Sequence, residues 1–136
     1  MRIHAVVFPA LAVATFAVAT LPAATLAQPA AAQRIEIDMA SFSYMPAAIT
    51  LHHGQAYTLH FVNRARGGHD FTAKAFFAAA QVAPADRAKV SGGEVELAGG
   101  TEVDVHLIAP APGRYGVHCS HFMHKLLGMK AAIIVD

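Results

Sequence analysis

The sequence has 136 residues, which is enough for one domain of ordinary size. Ten Lys and Arg residues nearly balance nine Asp and Glu residues, and the formal net charge is +1. This near-neutral balance lacks the basic surplus that draws proteins to nucleic acids or anionic membranes. A single cysteine excludes an internal disulfide framework. We therefore expect one globular domain with no nucleic-acid partner.

Residues 1–27 have the pattern of a secretory signal peptide. A positive charge at the second position precedes an apolar run from Ala5 to Leu21, and Thr25-Leu26-Ala27 offers a small-residue cleavage site. Removal of this segment predicts a periplasmic protein with a short linker at residues 28–33 and no membrane insertion. The alternative is an uncleaved membrane anchor, because the apolar run is nearly long enough to span a bilayer. The Ala-rich end with its cleavable sites favours removal.

Alternating apolar and polar residues predict short strands in the first half of the remaining chain. Arg34 to Asp38 shows the period of a strand with one buried face. Residues 48–52 and 57–62 alternate on either side of the His53-Gly54-Gln55 turn, so they are predicted to pair as a hairpin. His60 lies opposite the apolar face of the second strand and is expected to be exposed to solvent.

One helix and further strands are predicted in the second half. From Thr72 to Ala83 apolar residues recur at helical spacing, and Pro84 ends the run. Strand patterns resume at residues 94–97, 101–108 and 114–119, and Met129 opens a last strand. Many short alternating strands with one small helix predict an all-β Greek-key β-sandwich carrying a short helical insertion, formed by residues 34–136.

A cluster of soft ligands lies between the last two strands. Cys119, His124 and Met129 follow the spacing Cys-x4-His-x4-Met, which supplies a thiolate, an imidazole and a thioether within one loop. Such ligands select copper, and two His, one Cys and a weak axial Met describe a blue-copper centre. The second His must come from elsewhere, and His69 is the best upstream candidate. Strand parity places both sulfur residues in step with inward-facing side chains, which supports their assignment as ligands.

These residues resemble the cupredoxin family of small blue copper proteins, which includes plastocyanin, azurin, pseudoazurin and rusticyanin. The likeness covers nearly all of the chain after the leader. Residues 46–63 resemble the family's strand, Gly turn and strand ending in Asn, and the loop with the first His follows. The C-terminal loop then carries Cys, His and Met in the family's order.

The resemblance implies a cofactor and a set of ligands. One copper ion per chain would cycle between Cu(I) and Cu(II), with His69, Cys119 and His124 as equatorial ligands and Met129 as the axial ligand. The backbone N–H of Asp70 would donate to the Cys119 sulfur. Each of these roles is an expectation carried by the resemblance.

Two ligand assignments have competitors within the same loop. His121 competes with His124, and Met123 competes with Met129. We favour His124 because a residue two positions after the thiolate is poorly placed to converge on the same ion, and Met129 because it leads directly into the last strand. The spacing also resembles the mononuclear site of multicopper oxidases. Those proteins carry His-Cys-His, whereas this chain has His118-Cys119-Ser120.

The predicted function is one-electron transfer without catalysis. No open coordination position, general base or oxyanion arrangement can be read from the sequence. Phe122, Leu126 and Leu127 surround His124 and predict a small apolar docking surface for a redox partner protein such as a cytochrome or an oxidase. The protein is expected to be a monomer.

Two other functions compete with electron transfer. A periplasmic copper-handling protein, which buffers or delivers copper or confers tolerance to it, would explain surplus ligands such as His118, His121 and Met123. A structural β-sandwich with a coincidental Cys and His is disfavoured, because four ligand types agree in order, spacing and parity.

Overall fold

The computed structural model describes residues 31–121, 124 and 126–136. The predicted signal peptide lies outside these residues, as do Phe122 and Met123. The strands of the described part are, in chain order, β1 Gln33–Ala40, β2 Ser43–Met45, β3 Ala48–Leu51, β4 Ala56–Asn63, β5 His69–Thr72, β6 Gln81–Val82, β7 Glu94–Leu97, β8 Glu102–Ile108, β9 Gly113–His118 and β10 Lys130–Val135. One α-helix, α1 (Lys74–Ala79), and one 3₁₀ helix (Pro84–Lys89) follow β5.

The strands form two five-stranded sheets that enclose the core. The first sheet has the order β2-β1-β4-β8-β6, and the second has the order β3-β10-β9-β5-β7. Two pairs are parallel, β1 with β4 and β3 with β10, and the other pairs are antiparallel. Alternating apolar side chains of each strand fill the space between the sheets, as in a β-sandwich. The predicted all-β sandwich with a short helical insertion is confirmed. Within the described residues, no helix has the length and apolar character needed to cross a membrane.

The predicted hairpin of residues 48–52 and 57–62 is wrong, because its two strands belong to different sheets. β3 pairs in parallel with β10, so that Ile49 lies opposite Ile133, whereas β4 pairs with β1 and β8. The turn between them instead bonds to distant segments: His53 N–H donates to the Asp136 carbonyl and Gly54 N–H donates to the Ala109 carbonyl. Alternation predicts which face of a strand is buried but not which strand becomes its partner.

The predicted helix over residues 72–83 is shorter than expected. α1 ends at Ala79, Ala80 is extended with ψ 151°, and Gln81–Val82 then pairs with β8 as β6. No side chain caps the start of α1, so burial of Phe76 and Phe77 stabilises it rather than its own propensity. Sheet pairing at Gln81 has overridden a sequence that favours a longer helix.

His60 was expected to be exposed, and this prediction is wrong. Its side chain is only 8% exposed, and its Nδ1 lies 2.7 Å from an Asp104 carboxylate oxygen. Asp104 also accepts a hydrogen bond from Arg34 at 3.0 Å. Because β4 is the central strand of its sheet, long polar side chains from both neighbouring strands cover His60. The outward face of a central strand is thus buried beneath a layer of hydrogen-bonded charges.

The 3₁₀ helix is tied to β8 through the buried carboxylate of Asp86. Burial alone would raise the pKa of this group, but hydrogen bonds from Lys89 and from the backbone and ring of His106 outweigh it and lower the pKa to about 2. The Lys89 Nζ lies 2.6 Å from one oxygen, and the backbone N–H of His106 donates to the other at 2.8 Å. These contacts lie on the sheet that does not carry the predicted ligands.

Candidate metal centre

Neighbouring strands of the second sheet bring the predicted ligands together. His69 is the first residue of β5, and Cys119 directly follows β9, whose His118 pairs with Thr72 of β5. The chain then forms a loop and returns to the sheet at Met129, immediately before β10. Antiparallel pairing of β9 with β10 therefore closes the Cys-to-Met loop beside the start of β5.

Three predicted ligands point their donor atoms at one another. The Cys119 Sγ lies 3.4 Å from His124 Nδ1 and 3.9 Å from His69 Nδ1, and all three donor atoms lie within 4.8 Å of one another. Cys119 is fully buried, His69 is nearly so, and His124 is partly exposed. Bond lengths of about 2.0 to 2.3 Å from nitrogen and sulfur would fit one transition-metal ion between donors at these separations.

Met129, the predicted axial ligand, lies at the end of the loop that begins at Cys119. The side chain is fully buried, and the backbone joins it to both neighbours in the loop: Cys119 N–H donates to the Met129 carbonyl, and Met129 N–H donates to the His124 carbonyl. These two hydrogen bonds, 3.2 and 3.0 Å long, fix the register of the loop ends. A thiolate and two imidazoles, with the thioether of Met129 at the end of the same loop, form a donor set that fits copper.

Local electrostatics determine the protonation of the Cys119 thiol and the His69 ring. Burial raises the pKa of the Cys119 thiol above its ordinary value, and it outweighs the backbone groups of Asp70 and His121, which act in the opposite direction. The donation of the Asp70 backbone N–H to the Cys119 sulfur stays a prediction. Burial lowers the pKa of His69, and the nearby rings of His124 and His121 lower it further. A neutral imidazole is the form that binds a metal.

The Asp70 side chain is a part of the site that the sequence analysis missed. It is fully buried, and its carboxylate accepts hydrogen bonds from the Ser120 backbone N–H (2.9 and 3.0 Å), the Ser120 hydroxyl (2.7 Å) and the Thr72 hydroxyl (2.5 Å). It therefore links β5 to the loop that follows Cys119. One carboxylate oxygen also lies 3.8 Å from the Cys119 sulfur. The sequence offers one signal for this role, because Asp70 is an acidic residue directly after the candidate ligand His69.

His121 is not a member of the group formed by the donor atoms of His69, Cys119 and His124. Its Nε2 lies 3.0 and 3.1 Å from the two oxygens of Glu96 and 3.7 Å from an oxygen of Asp70. The structure thus groups His124, and not His121, with His69 and Cys119. A second group of donors, from Asp70, Cys119 and His121, also falls within 4.8 Å. Met123 lies outside the described residues.

Phe42 is a second residue that the sequence analysis missed. Its ring packs edge-on against the ring of His124 with centroids 5.3 Å apart, and its backbone has a positive φ of 66°. Phe42 is 43% exposed, and the nearby loop exposes Leu126 (78%) and Leu127 (55%). We call Phe42, Leu126 and Leu127 the apolar rim. No sequence pattern linked the β1–β2 turn to the distant His124.

Comparison with known proteins shows the family and the fold. Residues 10–135 match the cupredoxin-like domain family, so the predicted family resemblance is confirmed. No curated protein matches the chain. An auracyanin from Roseiflexus castenholzii, solved after reduction with dithionite, is similar in structure, with 22% identity, TM-score 0.58, and 77% of this chain and 98% of that chain covered.

Two further structures show the range of this fold. Auracyanin A, a blue copper protein from Chloroflexus aurantiacus, has 19% identity and TM-score 0.53, with 76% of this chain and 99% of that chain covered. A multicopper oxidase from Campylobacter jejuni has 11% identity and TM-score 0.57, with 76% of this chain but only 30% of that chain covered. Identities this low show a shared fold.

Proposed function

This chain belongs to the cupredoxin-like domain family, and we propose that it is a periplasmic type 1 copper protein that acts as a small one-electron carrier. One observation carries the proposal: the donor atoms of His69, Cys119 and His124 lie within 4.8 Å of one another. These residues would be the equatorial ligands, and buried Met129 would be the axial ligand. The predicted signal peptide, residues 1–27, supports export.

The surroundings of the donors suit rapid change of oxidation state. Copper bound by two imidazoles, a thiolate and a thioether would exchange a single electron between Cu(I) and Cu(II). The chain's part is to hold the donors still: the Asp70 carboxylate links β5 to Ser120, and backbone hydrogen bonds join Met129 to Cys119 and to His124. Donors fixed from outside need little rearrangement when an electron arrives.

Electron transfer without catalysis is what this donor set favours. Four protein ligands would fill the coordination sphere, whereas a catalytic metal keeps a position open for substrate. The Phe42 ring further covers the partly exposed ring of His124. We therefore propose that the protein is not an enzyme, although the fold also occurs within a multicopper oxidase.

The apolar rim supports a role in docking a redox partner. Its three side chains are 43% to 78% exposed; Phe42 contacts the partly exposed ring of His124, and Leu126 and Leu127 follow His124 in the same loop. A small apolar contact of this kind suits a transient encounter with a protein such as a cytochrome or an oxidase. We propose that the protein works as a monomer and presents this surface to its partner.

Copper handling is the second candidate function, and one observation favours it. His121 lies beside the carboxylates of Glu96 and Asp70, which gives donors beyond those that a carrier needs. A protein that buffers or delivers copper would use such donors to exchange the ion with its surroundings. Copper stoichiometry separates the two functions, because a carrier binds one copper ion tightly and a buffer binds additional Cu(I) ions.

The proposed function is tested with the protein purified from the periplasmic fraction and loaded with copper. We expect one copper per chain, an intense visible thiolate-to-copper band and reversible reduction in a redox titration.

Cys119→Ser should abolish the band while the fold survives, and His124→Ala should open a position that external imidazole refills. Met129→Gln should lower the reduction potential, because a harder oxygen favours Cu(II). Persistence of the band in Cys119→Ser would contradict the assignment.

A further inference from the structure

Three side chains form a second set of donors on the outer side of the site. His121, Glu96 and Asp70, which we call the outer triad, meet where the loop after Cys119 faces the end of β7. The His121 Nε2 lies 3.0 Å from the nearer Glu96 oxygen and 3.7 Å from an Asp70 oxygen. His121 is 33% exposed and Glu96 is 52% exposed, whereas Asp70 is fully buried. The triad therefore extends from solvent to the interior.

These separations suit a metal ion as well as a hydrogen bond. Nitrogen and oxygen ligands bound at about 2.0 to 2.2 Å to one ion lie roughly 3 to 3.5 Å apart, close to the distances within the outer triad. One imidazole and two carboxylates are donors that accept Cu²⁺ or Zn²⁺. The exposed carboxylate of Glu96 also attracts a cation that approaches from solvent.

The outer triad leads directly to the thiolate. The Asp70 oxygen that faces His121 also lies 3.8 Å from the Cys119 sulfur, and the donors of Asp70, Cys119 and His121 all fall within 4.8 Å of one another. Cys119 is thus shared between this group and the group with His69 and His124. An ion in the outer triad could gain its sulfur ligand without first leaving the protein.

Beside His124, the approach to the buried donors is apolar. The Phe42 ring packs against His124 at 5.3 Å, so that an apolar side chain covers the other partly exposed histidine. On the side of the outer triad, Gly68 leaves the pair of His121 and Glu96 uncrowded. A methyl group there would lie 3.2 Å from the Glu96 Oε1 and 3.3 Å from the His121 Cε1.

We propose that His121, Glu96 and Asp70 form a capture site that binds an incoming copper ion at the surface and passes it to Cys119. The inference rests on the proposed copper centre and adds the route by which the centre is filled. Transfer is a ligand exchange in which the ion keeps its oxidation state. The Cys119 thiol releases its proton to water as the copper–sulfur bond forms, and the carboxylates of the outer triad are released in turn.

The test measures how fast the metal-free protein takes up copper. Mixing it rapidly with Cu²⁺ alone and following the visible band should give loading about tenfold slower in Glu96→Gln and His121→Ala, because local capture raises the association rate. The intensity of the visible band at the end of loading shows separately whether the buried donors His69, Cys119 and His124 still bind copper. His52→Ala is the matched control, since His52 is an exposed histidine 2.5 Å from a carboxylate oxygen of Asp136 and should load at the wild-type rate.

A second measurement isolates the capture site from the thiolate. In Cys119→Ser the outer triad remains, so titration with Zn²⁺ alone should show one weak site that Glu96→Gln removes. Loading at the wild-type rate in both triad variants, with a normal final band, would overturn the capture site and leave the copper centre intact. Absence of the band from wild-type protein would overturn the copper centre and the capture role together.

Discussion

Asp70 places a full carboxylate beside the sulfur of the proposed copper centre. It accepts hydrogen bonds from the backbone and hydroxyl of Ser120 and from the hydroxyl of Thr72. Each of these contacts is one that a carboxylate oxygen accepts. The side chain therefore has two roles, as a link between β5 and the Cys loop and as a negative charge near the metal.

Replacing this charge should change the reduction potential. Asp70→Asn keeps an acceptor oxygen for Ser120 but removes a negative charge that favours Cu(II) over Cu(I). A unit charge about 4 to 6 Å away is worth about 3 to 4 kcal/mol at an effective dielectric constant near 20, so the potential should rise on the order of 100 mV. Redox titration of the copper-loaded variant measures the shift.

The control for this prediction removes a buried carboxylate elsewhere. Asp86→Asn breaks a hydrogen-bonded contact between the 3₁₀ helix and β8, so it should lower the free energy of unfolding. The reduction potential should stay unchanged, because Asp86 lies in the 3₁₀ helix, which is bonded to β8 of the other sheet. If both variants shifted the potential equally, a general loosening of the fold would explain the result and the local charge of Asp70 would not.

At the scale of elements, the loop between β4 and β5 sets the position of His69. Buried Asn63 ends β4, and its amide donates to the carbonyls of Gly67 and Leu97 while its oxygen accepts from the Ala65 N–H. The loop also packs directly on Gly99, where a methyl group would lie 2.0 Å from the Arg66 carbonyl oxygen. The backbone of Arg66, in the loop before His69, is thus in close contact with the backbone at Gly99.

Gly99→Ala should therefore disturb the site from a distance. The new methyl group cannot fit without moving the backbone of Arg66, and such overpacking typically costs about 1 to 3 kcal/mol. We expect a lower unfolding midpoint and a changed visible band, because the displaced loop leads directly to His69. Thermal unfolding and the spectrum of the copper-loaded variant check both effects.

Gly116→Ala is the matched control for the glycine substitution. Gly116 lies in β9, and a methyl group there would meet no atom within 4 Å. Its unfolding midpoint and spectrum should stay close to those of the wild type. An unperturbed band in Gly99→Ala would show that His69 is held independently of the loop before it.

Across the whole molecule, the sequence predicted what depends on local pattern. The alternation around Cys119 and Met129 placed both residues inward, and both are buried. The predicted hairpin was wrong because β3 and β4 belong to different sheets. Which strands pair with each other depends on contacts between residues distant in sequence. The prediction that His60 is exposed was wrong for a related reason, since the residues that cover its side chain come from β1 and β8.

The residues that sequence reasoning missed at the site share this origin. Phe42 reaches His124 from a turn 82 positions earlier in the chain, and Glu96 reaches His121 from β7. Neither pair follows a spacing rule, because tertiary folding alone brings them together. Loop ligands, in contrast, lie close in sequence, and Cys119, His124 and Met129 could be recognised by their spacing.

At the scale of the whole molecule, the exposed apolar rim adjoins His124, where two copies or a partner can meet it. Leu126→Lys puts a charge on a side chain that is 78% exposed, so the fold and the reduction potential should be retained. Two copies exchanging an electron through this surface would now bring like charges together and lose an apolar contact. Electron self-exchange, measured from NMR line widths in mixtures of Cu(I) and Cu(II) protein, should slow about tenfold at low salt.

The control variant is Ile108→Lys, at a 37% exposed residue of β8 on the other sheet, which should exchange electrons at the wild-type rate. Equal slowing in both variants would attribute the effect to net charge, and no slowing in Leu126→Lys would place the electron-transfer contact away from His124.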